Sequence, residues 1–293
     1  MLLGAIEAGG TKFVLGVGTP AGEIIAKTTL KTENPAVLLP KIESFFADYE
    51  LAAVGVGSFG PLDLNPNSKS YGFITNTPKL AWQNFDLLGS LKSSLDVPIF
   101  LTTDVNASCL GEKTFGAFQD YTSLVYFTIG TGVGAGGIQG GQFIQGLSHP
   151  EMGHMLLRQH PADLYAGNCP FHQNCLEGLA SGPAIMARAG RASHLLAEAD
   201  QTWEFVSDYL AQAAFNVSLI LSPEVIIFGG GVMKQPQLLP KIRQKLMLLN
   251  QNYLSLPNLD DYLQTDSLAD LQGLLGCIAL AQQQLSPTKM ANR

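Results

Sequence analysis

A chain of 293 residues has room for two domains at roughly 150 residues each, or for one large domain around a deep cleft. Hydrophobic residues make up 46% and charged residues only 14%, which excludes the disordered, acidic-tail and coiled-coil classes. The net charge of -7, from 24 acidic and 17 basic residues with no run of Lys or Arg, offers nothing to a phosphate backbone or an anionic membrane, so neither is expected as a partner. Four scattered cysteines, Cys109, Cys169, Cys175 and Cys277, do not make a disulfide framework. Together with an N-terminus that reads as a strand rather than a leader, and no apolar run of roughly 20 residues, this places the expected compartment in the cytoplasm. Glycine is the oddity: there are 31, and they are clustered.

In chain order, residues 2–31 read as a three-stranded meander, with strands over 3–8, 13–18 and 23–30. A helix is predicted over 35–49, with Asn34 as cap and Pro35 at its first position. A buried strand comes next over 52–57, then a Pro/Asn-rich loop, a helix over 86–95, a strand over 98–103 and a helix over 106–118. At Ser123 the pattern begins again: a strand over 124–129, a glycine turn, a strand over 135–139 and a third starting near Gln142. Both halves open on a hairpin whose turn holds glycines and one threonine, Thr11 or Thr131, which reads as a duplicated architectural unit. A helix is predicted over 203–221 from the stripe Val206, Leu210, Ala213, Val217 and Leu221. It leads into the buried strand 225–228, which stops at Gly229-Gly230-Gly231. A closing helix over 268–284 carries small residues at Gly273, Gly276, Ala279 and Ala281. Trp82 and Trp203 are expected in the core, as are Cys109 and Cys277.

Five groups of residues carry chemistry. Glu7-Ala8-Gly9-Gly10-Thr11-Lys12 puts a carboxylate, a glycine turn, a hydroxyl and a cation in one short segment, which can cradle polyphosphate with Glu7 toward Mg²⁺, or can be an ordinary hairpin turn. The second turn, Gly130-Thr131-Gly132-Val133-Gly134, formally begins a dinucleotide fingerprint, but the next residues, through Gln139, read as strand where the fingerprint requires a helix. No P-loop occurs. Gly229-Gly230-Gly231, after an apolar strand, suits close approach of a nucleoside. Asp104, at the end of a strand and the start of a helix, is either a general base or that helix's N-cap. Finally, His154 with Cys169-x-x-His172-x-x-Cys175 has the ligand set of a tetrahedral, structural zinc site. Glu151 and Glu177 flank it, rigidly held and suited to the hydroxyls of a sugar. Asn76-Thr77-Pro78-Lys79 could reach a polar substrate, but its composition is that of a turn.

Together these residues resemble the ROK family of sugar kinases (repressor, open reading frame, kinase), and within it the bacterial fructokinase branch. The family's Asp-x-Gly-Gly-Thr-Lys corresponds to Glu7–Lys12, its second phosphate motif to Gly130–Gly134, its Asp-Val-Asn-Ala to Asp104–Ala107 and its Glu-x-Gly-His to Glu151–His154. Glu7 stands where Asp is usual, and the usual Cys-x-Cys-Gly-x-x-Gly-Cys becomes Cys169-x-x-His172-x-x-Cys175. Both departures, with Gly55–Pro61 and Leu176–Pro183, are similar to the fructokinase branch. The resemblance implies an α/β, duplicated actin-like ATPase fold of the ribonuclease H-like type, with two domains around a cleft: 1–108 with a returning helix over 277–293, and 109–276 carrying the zinc loop. It further implies ATP-dependent phosphorylation of fructose at its 6-hydroxyl, with Asp104 as base and Asn106, Glu151, His154 and Glu177 on the sugar. Gly9, Gly10, Thr11, Lys12, Thr131 and Gly132 would attend the phosphates, and Pro183 with Gly229, Gly230, Gly231, Val232 and Met233 the nucleoside. The implied cofactors are ATP, Mg²⁺ and structural Zn²⁺, and the implied assembly is a homodimer. A broader hexose kinase acting on mannose or glucose is the nearest alternative. A sugar-responsive repressor would need a helix-turn-helix ahead of the first motif, and a silent sensor would not need Asp104 and both turns.

Overall fold

The computed structural model describes residues 1–285. Its elements run β1 (Leu2–Ala8), β2 (Lys12–Gly18), β3 (Ile24–Lys31), α1 (Pro35–Phe46), β4 (Leu51–Ser58), β5 (Phe73–Ile74), β6 (Phe85–Asp86), α2 (Leu87–Ser94), β7 (Ile99–Thr103) and α3 (Asp104–Phe115). They continue with β8 (Leu124–Ile129), β9 (Val133–Gln139), β10 (Gln142–Phe143), α4 (Leu176–Ala180), α5 (Gly182–Ala189), α6 (Thr202–Leu221), β11 (Val225–Gly229), α7 (Leu238–Asn250), α8 (Leu259–Tyr262), β12 (Leu263–Thr265) and α9 (Gln272–Leu285). Among the described residues no helix is long and apolar enough to cross a membrane.

Contacts divide the chain into two compact units. The first holds Met1–Asp120, Gln145–His149 and the chain from Ser267 onward; the second holds Tyr121–Ile144 and Pro150–Asp266. The boundaries expected at 108/109 and 276/277 fall inside α3 and α9, and the reason the division lies elsewhere is the packing of those two helices on each other. A Cβ at Gly276 would collide with the Ala107 carbonyl oxygen, and one at Gly111 with that of Gln272. Helices in such backbone contact belong to one body. Of the returning helix expected over 277–293, residues 286–293 lie outside the described residues.

In the first unit the sheet order is β3-β2-β1-β4-β7, antiparallel through β1 and parallel from β1 to β7. In the second it is β10-β9-β8-β11-β12, with the same sequence of directions. The duplication expected from the two hairpins is therefore present in topology, and the chain has the duplicated α/β architecture that the resemblance implies. Local sequence explains the elements. The edge strand β3 never buries a residue, whereas β4 and β11 are buried over most or all of their length, as parallel central strands must be. Asn34 caps α1 by accepting from the Ala36 N–H at 3.0 Å, with Pro35 at the first position. Helix α6 buries Val206, Leu210, Ala213 and Val217 on its predicted stripe.

The closing helix starts later than its pattern suggests. Ala269 and Asp270 have φ of 51° and 66°, a left-handed turn that separates residue 268 from α9. The buried Glu112 carboxylate secures that turn, accepting from the Ser267 N–H at 2.8 Å and its hydroxyl at 2.6 Å. In the first unit's core Phe13 stacks on Trp82 at 5.4 Å, and in the second Phe127 stacks on Phe228 at 5.5 Å in the core that also buries Trp203. All four cysteines are free and buried.

Candidate functional site

In the first unit, the β1–β2 hairpin presents Gly9–Lys12. The turn closes through Gly9 N–H donating to the Lys12 carbonyl at 2.9 Å. Thr32 anchors it from β3's end, donating its hydroxyl to Gly9 O at 2.8 Å and its N–H to Thr11 O at 3.0 Å. The left-handed φ that Gly-Gly permits is not used at either position. Glycine is required at position 9 for space, since a Cβ there would stand 2.8 Å from the Lys12 carbonyl oxygen. Thr11 and Lys12 are exposed, so the hydroxyl and the ammonium face solvent.

Glu7 points from the end of β1 onto the start of α9, where Gly273 makes room: a Cβ at that position would approach the Glu7 carboxyl carbon to 2.6 Å. Burial, and next the charge of Asp104, push the Glu7 carboxyl up to about 7, against the opposing pull of Lys12. Two carboxylates thus share one neighbourhood, and a cation there would relieve both.

Asp104 opens α3, but it is not the cap. Thr103 is, its hydroxyl accepting from the Asn106 N–H at 3.1 Å. Asp104 occupies the first helical position, half-buried, with Oδ1 accepting from the Val105 N–H at 2.9 Å. A carboxylate in this position can accept a proton without the helix losing its cap, because Thr103 supplies that cap. Asn106, expected at the sugar, is only 1% exposed and donates its amide to Thr102 Oγ1 at 3.3 Å. It braces the corner behind Asp104.

A second cation comes to the same turn. Lys79, in the Asn76–Lys79 loop whose composition is that of a turn, lies over the first hairpin, its Cε 3.1 Å from where a Gly10 Cβ would stand. The loop is carried there by neighbouring Trp82, buried in the core with its indole N–H on the Glu33 carbonyl at 2.9 Å.

In the second unit, the β8–β9 hairpin presents Gly130–Val133, with Thr131 exposed at its tip. Gly182 N–H at the start of α5 donates to Gly130 O at 2.7 Å, and Pro183 comes next in the first turn of α5. Glu177, in the first turn of α4, accepts from the Val133 N–H through Oε2 at 3.1 Å. Gly230, with φ of 91°, and Gly229 are crowded by protein atoms, namely the Ile129 backbone and the Tyr126 and Asp266 side chains. Of the triple glycine, Gly231 alone has open space on its Cβ side. Val232 and Met233 continue into a 3-10 turn and are buried in the unit's core.

His154, Cys169, His172 and Cys175 come together as the spacing predicts. Their ligand atoms all lie within 4.8 Å of one another. His154 Nδ1 lies 3.6 Å from Cys169 Sγ and 3.5 Å from Cys175 Sγ, and His172 Nδ1 lies 3.8 Å from Cys169 Sγ. Zinc bonds of about 2.3 Å to sulfur and about 2.0 Å to nitrogen at tetrahedral angles separate S from N by about 3.5 Å, so the donor set fits zinc in kind and in size. Burial pushes the Cys175 thiol up to about 11, a cost that a bound cation would reverse. Glu151 immediately precedes the 3-10 turn Met152–His154. The segment that carries the cluster is stapled down by a buried ion pair: Asp163 receives Arg188 at 3.0 Å and the Tyr209 hydroxyl at 2.6 Å.

Residues 3–284 match the sequence model of the ROK family. The chain is 44% identical over 285 residues to a fructokinase of Pediococcus pentosaceus, covering 97% of this chain and 99% of that one. It is 39% identical to a fructokinase of Zymomonas mobilis over 96% of each. Among solved structures, a ROK hexokinase from Thermus thermophilus superposes with a TM-score of 0.77 at 25% identity, covering 98% of this chain and 100% of the other.

Proposed function

This chain belongs to the ROK family, and from that premise we propose that it transfers the γ-phosphoryl group of ATP to the 6-hydroxyl of D-fructose. The observation that carries the proposal furthest is Asp104: a carboxylate at a strand end and helix start, relieved of capping by Thr103 and sharing its neighbourhood with the Glu7–Lys12 hairpin. The fructokinases that resemble the chain over nearly its whole length support the sugar.

Asp104 accepts the proton of the 6-hydroxyl as that oxygen attacks the γ-phosphorus in line. The bond to the bridging oxygen breaks, and its electron pair leaves with ADP. Lys12 and the backbone N–H groups of Gly10 and Thr11 offset charge on the phosphates, with Gly9 closing the turn that presents them, as do Thr131 and Gly132 from the second hairpin. Magnesium, bound with the nucleotide, supplies further charge neutralisation, and Glu7 offers it an oxygen ligand. Glu151, His154 and Glu177 hold the sugar hydroxyls, with Asn106 bracing Asp104 from behind. Pro183 and the 229–233 segment serve the nucleoside, chiefly through the backbone at Gly231. His154, Cys169, His172 and Cys175 hold zinc as a structural ion, since four protein ligands leave no open position. We read the protein as a cytoplasmic homodimer.

Asp104→Asn tests the mechanism. It keeps the shape and should keep fructose affinity by calorimetry while turnover in a coupled ADP-release assay falls about 10²–10⁴-fold. Turnover that survives the change removes Asp104 as base. In the same assay fructose should lead a panel of hexoses; equal rates with mannose and glucose would replace the narrow reading by the broad one.

A further inference from the structure

We propose that Glu177 is a positioning residue that ties the metal cluster to the second phosphate turn, so that zinc and nucleotide bind cooperatively; this rests on the nucleotide role given above to Thr131 and Gly132.

The second turn is gripped at Val133 from two directions. Its N–H is held by Glu177 Oε2 at 3.1 Å. Its carbonyl lies against the backbone of Gly153, so close that any Cβ at 153 would collide with the oxygen. Each gripping residue neighbours a metal ligand in sequence: Gly153 precedes His154, and Glu177 lies two residues after Cys175. The two segments are also joined directly. Leu176 N–H donates to Met155 O at 3.0 Å, and Leu156 bridges to Cys175. A metal that draws His154 and Cys175 together therefore closes both sides of the grip on one residue.

Space around Gly132 makes the grip specific. A Cβ there would meet Glu177 Oε2 at 2.6 Å, so the carboxylate lies against the turn itself. At its other end the turn is fixed by Gly182 N–H on Gly130 O. Between these anchors Thr131 and Gly132 project their backbone where a phosphate would be received. The hydrogen bond from Val133 to the Glu177 carboxyl oxygen is the side-chain anchor at this end of the turn, and its loss frees that end. Cooperativity results by linkage: what the metal orders, the nucleotide need not order again.

The test measures coupling, with zinc and ADP as probes on the full chain. In the wild type, saturating ADP should lower the zinc dissociation constant, read at equilibrium by competition with a chromogenic chelator, about tenfold, the value of one hydrogen bond to a charged group. Removing zinc should raise the ADP dissociation constant by the same factor. Glu177→Ala should abolish both effects, and Glu177→Gln should retain most of each, because its amide oxygen still accepts from Val133. Hydrogen exchange across α6 reports whether the variants remain folded; if Glu177→Ala is unfolded, the wild-type reciprocity and the Gln variant decide. ADP binding with no change in zinc affinity overturns the coupling alone, as does full coupling in Glu177→Ala. An absence of ADP binding to the zinc-loaded wild type overturns the nucleotide reading and the coupling with it. Coupling in a protein that fails to phosphorylate fructose leaves the inference standing and removes the sugar assignment.

Discussion

The two glycine hairpins occupy the same place in the same topology, yet they are supported in opposite ways. The first is held by backbone and by one threonine, and charged groups surround it: Glu7, Lys12 and Lys79, with Asp104 behind. The second has the Glu177 carboxylate beside it and is held by mechanics: α5 at one end, and at the other the segment between β10 and α4 that carries the Cys/His cluster. In the first unit the corresponding connection, from Lys31 to Pro35, is a short link. The duplicated unit has thus diverged by division of labour. Charges lie beside one turn, and relative to that unit the other carries an insertion that holds its turn still.

That contrast can be broken or sharpened by substitution. The largest stability effect should come from the staple of the insertion. Arg188→Met leaves Asp163 buried without its counter-charge, and should cost about 3–5 kcal/mol in urea unfolding. A loss below about 1 kcal/mol would mean that the insertion does not rely on the pair. Acid should act on the same staple. Burial alone would raise the Asp163 carboxyl, but hydrogen bonds from Arg188 and Tyr209 outweigh it and hold it below the ordinary value. A depressed carboxyl contributes stability above its unfolded value of about 3.9 and loses it as the pH falls further. The stability gap between wild type and Asp163→Asn should therefore be full at neutral pH and narrow once the medium is acidified below that value. A gap that stays constant would remove the ion pair as its source.

Next in size is Lys79→Met, on the first hairpin. It should raise the KM for ATP about fivefold, near 1 kcal/mol for a half-exposed cation, without changing zinc release. An unchanged KM would return the loop to the status of a turn. Smallest is Thr32→Val, which removes one hydrogen bond to Gly9 and should cost about 0.5–1 kcal/mol of stability.

Much of this is legible in the sequence where the signal is local. Strands bounded by glycines announce themselves, and four soft ligands between 154 and 175 have the spacing of a metal site. The capping of α3 is ambiguous there because Thr103 and Asp104 are both good caps, and only the geometry of the Asn106 N–H separates them. The start of α9 is misplaced by pattern because nothing in Ala269-Asp270 signals a left-handed turn; the reason lies in Glu112, far away in sequence. The loop that ends at Lys79 can be read as one that could reach a polar substrate, but the nearness of Lys79 to Gly10 cannot, since it depends on Trp82 entering a core assembled from other segments. The unit boundaries are hidden for the same reason: α3 and α9 meet through glycines whose role is visible only across the contact.

The contact between α3 and α9 also sets an order of events. Residues 272–285 are synthesised after the whole of the second unit, yet Gly276 must seat against Ala107, one helical turn from Asp104. The second unit can fold while the first still lacks the helix that buries one face of its sheet. A nascent chain can therefore complete the segment that carries the Cys/His cluster before α9 seats behind Asp104.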